Sequence, residues 1–216
     1  MTPDRCLFAH QHVAVVGTAP GCVLPAHYDV TVCANAGPRV VVDAGARPDV
    51  QVVTGYMTSL AHRSPANVDA LAGLHLPQVW VLETFQGIES VRAEYATRGI
   101  TYDAIHRLEQ EEWAGIVEEM CGLPLGRHVV DGSDYELSVS TGLFSVCFAF
   151  YAGAERVTVC GVSMDVHREF HRPHLTGDRQ ALHALHARFG DRMSTTSPQM
   201  AIVLKRDVLK REALCA

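Results

Sequence analysis

Ser138 to Asp165 reads SVSTGLFSVCFAFYAGAERVTVCGVSMD, and the order of its parts decides the fold class. Ser140-Thr141-Gly142 opens an apolar helical run that ends at Gly153. Arg156 to Cys160 is then a short buried strand, and Gly161 starts the turn after it. A helix that begins on small hydroxyl and glycine residues leaves its first N–H groups open, which suits an anionic ligand such as a phosphate. The succession of loop, helix, strand and glycine turn belongs to nucleotide-binding α/β folds, whose ligands sit at the carboxyl ends of the strands.

The same pattern extends outward from this stretch. Val13 to Gly17, Asp29 to Ala34, Asp49 to Val53 and Val79 to Leu82 (preceded by Pro77) read as buried strands, and Arg192 to Thr195 as a further one. Val40 to Val42 is left open as an extra short strand. Helical stretches lie between them at Ser64 to Ala72, Ile88 to Arg98, Glu109 to Cys121, Gly142 to Ala152, Asp178 to Phe189 and Gln199 to Leu214. Strands alternating with helices predict an α/β fold: one Rossmann-like domain over residues 1–216, with a mostly parallel sheet flanked by helices. The strand ends Gly17-Thr18, Asn35, Thr54 and Gly161 each carry a small or hydrogen-bonding residue where such a sheet places its ligands. These are also ordinary turn formers, so each alone says little, and the four together with Ser140-Thr141-Gly142 favour a nucleotide site.

Composition narrows the function. Apolar residues make up 48% of the chain, enough for a substantial core. A formal net charge of −6, without a Lys/Arg-rich run interleaved with aromatics, argues against nucleic acid as a partner. Lys205, Arg206, Lys210 and Arg211 form a basic cluster that reads as the polar face of a surface helix, with peripheral contact at the inner membrane face as the alternative. Seven scattered cysteines without a CxxC pair fit small buried hydrophobes in a reducing compartment. No basic region followed by a long apolar run opens the chain, and no apolar run of membrane-spanning length occurs, so the expected location is the cytoplasm.

Several chemistries are disfavoured by the motifs. GTAPG (Gly17 to Gly21) lacks the GxGxxG pattern of dinucleotide sites, and no Walker-type GxxxxGK[ST] or GxSxG elbow is present. An isolated DxD pair, as in metal-dependent sugar transferases, is also missing. Five of the twelve histidines fall between His167 and His186. His167, His171 and His174 have i, i+4, i+7 spacing that could bind zinc on one helical face, but Pro173 interrupts the run and no convincing fourth ligand follows. An imidazole in a loop beside the fifth strand end could instead act as a general base. His183 and His186 read as surface residues of the helix that begins near Asp178, while His174, just before that helix, stays open between catalysis and a structural role.

Four pieces carry a resemblance to a known family. These are VVGTAPG (Val15 to Gly21), DVTVCAN (Asp29 to Asn35), the run from Ser140 to Asp165, and HLTGDRQALHAL (His174 to Leu185). The chain resembles the bacterial sialyltransferases that use CMP-activated sialic acid and adopt a single-domain variant of the sialyltransferase fold. The pieces are similar, respectively, to the family's first strand and its Gly-Asn-Gly-Pro-Ser loop, to a second strand ending in a nucleotide-contacting Asn, to a Thr-Ser-Gly helix with its following strand, and to a segment in which a histidine precedes an Asp and an Ala-Leu helix. The resemblance spans nearly the whole chain.

It implies a glycosyltransferase that moves sialic acid, or a related nonulosonic acid, from a CMP-sugar donor to a glycan hydroxyl, with inversion and without a metal or other cofactor. Gly17, Thr18 and Pro20 would line the nucleotide phosphate and ribose, Asn35 would contact the nucleotide or donor sugar, and Thr54 would stand where a third strand offers an Asn. Ser140, Thr141 and Gly142 would hold the cytidine portion, with Gly161 and Asp165 on the phosphate side. His174 would be the general base, with His171 as its substitute. The chain departs from the pattern at Thr18, where the family has Asn, at Ser163, where it has an acidic residue, and at Asp165, where it has a phosphate-contacting tyrosine. A second such tyrosine is missing from Val166 to Pro173, where His167, Arg168, His171 and Arg172 could supply positive charge instead. Two alternatives therefore stay open, a non-catalytic CMP-binding module on the same fold and a transferase that uses CMP-Kdo, and self-association into a homo-oligomer is compatible with all three.

Overall fold

The structure is a computed structural model that describes residues 2–19, 21–54, 68–83, 87–130, 133–162, 172–198, 200, 201, 203 and 204. The protein is an α/β fold built on a seven-stranded, all-parallel sheet of Rossmann-like architecture. In chain order the described elements are β1 (His12–Val16), β2 (Val30–Ala34), α1 (Gly37–Asp43), β3 (Val50–Thr54), β4 (His75–Leu82), α2 (Ile88–Thr97), β5 (Thr101–Leu108) and α3 (Gln110–Cys121). They continue with β6 (Gly126–Val130), β7 (Ser133–Leu137), α4 (Thr141–Tyr151), β8 (Arg156–Cys160), α5 (Arg172–Phe189) and β9 (Met193–Thr195). Across the sheet the strands run β5-β4-β3-β2-β1-β8-β9, so the winding direction reverses between β1 and β8. That reversal is where an open parallel sheet leaves a crevice at its carboxyl edge.

The core follows from strand alternation. Val13 and Val15 of β1 face one side with Val32, Val50, Val52, Trp80 and Val159, under α3, α4 and α5. Ala14, Val16 and Cys33 face the other side under Val41 of α1, while Val53, Val79 and Val81 pack there with Val91 and Tyr95 of α2. Helix α4 is apolar all round because it is covered twice, by the sheet below and by α3 and α5 above. Its one buried hydroxyl, on Ser145, donates to the Thr141 carbonyl at 2.8 Å.

Some expectations need correction. Val40 to Val42 lies in α1, not in a strand, because Pro38 starts a helix immediately after β2. Asp29 and Asp49 stand just outside their strands: each accepts a backbone N–H at the start of the neighbouring strand, from His12 and Thr31 respectively, both at 2.8 Å. Strand β4 begins at His75 and includes Pro77, which is tolerated because pairing with β3 starts only at Gln78. Strand β5 and the β6–β7 hairpin add strands beyond those the sequence pattern predicts. Helix α5 begins at Arg172, six residues before the expected Asp178, with Pro173 in its first turn, where the missing N–H costs nothing. Of the expected helix from Ser64, only Val68 and Asp69 are helical among the described residues, and most of that from Gln199 lies outside them. Among the described residues no helix is long and apolar enough to cross a membrane.

Candidate functional site

Because the sheet is all parallel, the ends of β3, β2, β1 and β8 fall side by side on one edge as Thr54, Asn35, Gly17 and Gly161. Two helices start at the same edge. Helix α4 turns back into β8 through Ala152 to Glu155, so its amino end stands beside the carboxyl end of β8. Gly142 makes this visible, since a side chain there would press on the methyl groups of Val162.

Glycine at this edge is a packing requirement. The Gly17 N–H donates to the Cys160 carbonyl and the Ala19 N–H to the Gly161 carbonyl, both at 2.8 Å, which continues the β1–β8 ladder past its last paired residues. A side chain on Gly17 would overlap the Gly161 carbonyl oxygen. Gly161 has φ +60°, and a side chain there would strike Cys22. Both glycines thus bring backbones together at the floor of the edge, while Thr18, directly after, is exposed.

Asn35 has an unusual setting. Its φ of 50° lies in the left-handed region, which asparagine tolerates better than most residues. The Asn35 N–H donates to the Val52 carbonyl at 2.9 Å. Its own carbonyl accepts the Gln51 Nε2 at 2.6 Å, and the Gln51 Oε1 accepts the Tyr95 hydroxyl at 2.6 Å. Gln51 is buried, so this chain of bonds from α2 through the sheet pins the Asn35 backbone. Its side-chain Oδ1 is buried without a hydrogen-bond partner among the described residues. An orphaned acceptor beside a left-handed, pinned backbone suits a ligand donor. Thr54, one strand further on, is half-buried.

Ser140 is the N-cap of α4, and its Oγ accepts the Leu143 N–H at 3.3 Å. Its own N–H donates to Asp178 Oδ1 at 2.7 Å. These bonds commit Ser140 inside the protein, whereas the N–H groups of Thr141 and Gly142 have no partner among the described residues. The open donors expected at this helix start are therefore those of Thr141 and Gly142, and Ser140 orients them.

Asp178 was missed as a site residue in the sequence, although HLTGDRQALHAL contains it. It lies 38 residues from Ser140, a separation that no local pattern reveals. His174 stands within the first turns of α5, not in a loop before it, and one helical turn ahead of Asp178. Pro20, Asp165 and His171 lie outside the described residues, as do His167 and Arg168. Among the described residues no group of three His, Cys, Asp or Glu side chains could hold a metal ion.

At the β4 end of the same edge, the Glu83 carboxylate takes the Ile88 N–H at 3.3 Å and pairs with Arg107 at 2.5 Å. That acid is thereby engaged in holding α2 and β5. The cysteines Cys6, Cys22, Cys33, Cys121, Cys147 and Cys160 are free thiols.

No protein-family model matches the sequence, and no curated protein matches it. Among solved structures, the sialyltransferase CstII from Campylobacter jejuni in complex with the substrate analogue CMP-3FNeuAc is similar in fold, with a TM-score of 0.45. Identity is 8%, over 86% of this chain and 78% of that one. The alpha-2,3-sialyltransferase from Campylobacter jejuni in apo form is similar at a TM-score of 0.45 and 12% identity, over 89% of this chain and 79% of that one.

Proposed function

We propose that this chain is a glycosyltransferase that moves sialic acid, or a related nonulosonic acid, from a CMP-sugar donor to a glycan hydroxyl, with inversion at the anomeric carbon. The observation that carries the reading is a set of groups without partners among the described residues: the Thr141 and Gly142 N–H pair at the carboxyl edge beside β8, and the Asn35 Oδ1 at the end of β2, with β1 between them. Resemblance of the sequence pieces around Asn35, Ser140 and His174 supplies the nucleotide and the sugar. In this reading the α4 start meets the charge of the leaving CMP through backbone N–H groups and the helix dipole. Asn35 accepts a hydrogen bond from the nucleotide or donor sugar, and Thr54 stands one strand further along the edge. Gly17, Thr18 and Pro20 would line the phosphate and ribose, with Gly161 against Gly17.

His174, on the helix that docks against the α4 start, would take the proton from the acceptor hydroxyl as it attacks, with His171 as the alternative base. CMP is a good leaving group, so positioning and electrostatics dominate over acid catalysis. A second reading, a CMP-binding module without turnover, is favoured by Asp165, whose carboxylate replaces a phosphate-contacting tyrosine of the resembled family. Within the enzyme reading, CMP-Kdo is the alternative donor.

Acceptor-dependent release of CMP from CMP-sialic acid tests the proposal. The native protein should turn the donor over, and His174→Ala should cut kcat by about 100-fold or more while leaving CMP affinity within about threefold. Tight CMP binding without any turnover over a panel of acceptors and donors would select the binding module.

A further inference from the structure

A buried carboxylate joins the two helices that start at this edge. Asp178 is 5% exposed, and its Oδ1 receives the Ser140 N–H. The approach that makes this bond possible is set one residue earlier, where Gly177 lies against the Ser138 carbonyl so closely that any side chain would overlap it. Helix α5 is thus held to the N-cap of α4 by a glycine contact and an adjacent carboxylate. Four residues before that carboxylate is the His174 position.

Burial pushes the Asp178 carboxyl up to about 6, against hydrogen bonds from the Ser140 backbone and side chain that hold it down. Among the described side chains, the ionisable groups near it on the packed elements are thiols. Cys147 of α4 is pushed well above the usual thiol range by its contact with Cys121 and by burial, and Asp178 adds to that rise. Cys121 of α3 touches Cys147 at 3.5 Å and lies against the Ala181 carbonyl of α5. From β7, Leu137 packs on this turn. Among the described residues, then, the carboxylate has no cation beside it and relies on Ser140 and the positive end of α4.

An anion bound at Thr141 and Gly142 would draw on the same helix end. Two negative charges at one helix start raise each other's proton affinity, and the buried one, already close to neutral pH, is the one to yield. We propose that Asp178 is a positioning residue that latches α5 to the start of α4 and takes up a proton when an anionic cytidine nucleotide occupies that start. The latch stands on the geometry alone, whereas the coupling to ligand rests on the function proposed above.

Two measurements on the full-length protein decide it. In the first, the Asp178 carboxyl carbon and the Ser140 amide are followed by NMR from about pH 5 to about pH 8. Both should titrate with one shared midpoint near 6, and in Asp178→Asn the Ser140 amide should no longer titrate. A Ser140 amide whose shift is the same in Asp178→Asn, or that moves with another midpoint than the Asp178 carbon, overturns the latch, and an Asp178 carbon that stays constant across this range overturns the proton uptake.

In the second, the methyl phosphodiester of CMP, whose charge is constant over this range, is titrated calorimetrically near pH 7 in buffers of differing ionisation enthalpy. The native protein should take up a substantial fraction of a proton on binding, and Asp178→Asn close to none. Equal uptake by the two proteins, or none by the native protein, overturns the coupling. If the native protein binds no cytidine nucleotide at all, the functional reading fails and the coupling with it, while the first measurement still decides the latch.

Discussion

At the scale of single residues, Asp178 makes stability depend on pH in the acidic-to-neutral range. Its carboxyl titrates near 6 in the folded protein and at 3.8 in an unperturbed side chain. The folded state therefore holds this proton more tightly than the unfolded chain does. The associated stability is fully present below about pH 4 and is lost as pH rises through about 6. A difference of about two pH units corresponds to roughly 3 kcal/mol. Urea melts should accordingly show the native protein losing stability of that order between about pH 4 and about pH 7 relative to Asp178→Asn, which carries no titrating group. Parallel pH profiles for the two proteins would remove Asp178 from this role. Gly17 and Gly161 change meaning at the same scale: the sequence suggests ligand contacts, and the structure adds a steric need for bare backbone at the β1–β8 junction.

Among the elements, what the sequence shows and what it hides separate along physical lines. Strands β1, β2, β3 and β8 are buried on both faces, and short valine-rich runs mark them, continuous in Val13 to Val16 and broken by a single buried polar residue at Thr31, Gln51 and Thr158 in the others. Strand β5, TYDAIHRL, lies at the sheet edge with exposed and half-exposed residues up to its buried last residue, Leu108, so neither a continuous run nor clean alternation announces it. The β6–β7 hairpin, from GRHVV to SDYEL, pairs only with itself and stands apart from the main sheet, so no long apolar strand marks it. The helix start at Ser140 was readable because capping is local. Its bond to Asp178 was not, because it depends on how α5 docks.

The Tyr95–Gln51–Asn35 chain is another contact between elements that sequence spacing conceals, tying α2 to the carboxyl edge through β3. Tyr95→Phe leaves the buried Gln51 Oε1 without its donor, and urea melts should show a loss of about 1–3 kcal/mol. A loss below about 0.5 kcal/mol would mean that the chain of bonds contributes little to holding α2.

For the whole molecule, one sheet edge collects the features that matter. The reversal of strand order between β1 and β8, the starts of α4 and α5, the pinned Asn35 and the exposed Thr18 all belong to it. The opposite edge carries Asp29 and Asp49 in purely structural bonds to strand starts. This asymmetry is what a parallel sheet with a carboxyl-edge ligand site requires. The proposed ligand of that edge is a cytidine nucleotide. A thermal-shift screen of the native protein against CMP, CDP, UDP, GDP and CMP-sialic acid tests it most directly. Saturating CMP or CMP-sialic acid should raise the melting temperature by about 5 °C or more, as expected for a ligand at roughly a hundred times its Kd, with UDP and GDP leaving it unchanged. An equal shift with UDP or GDP, or no shift with any cytidine nucleotide, would rule out a cytidine site at this edge.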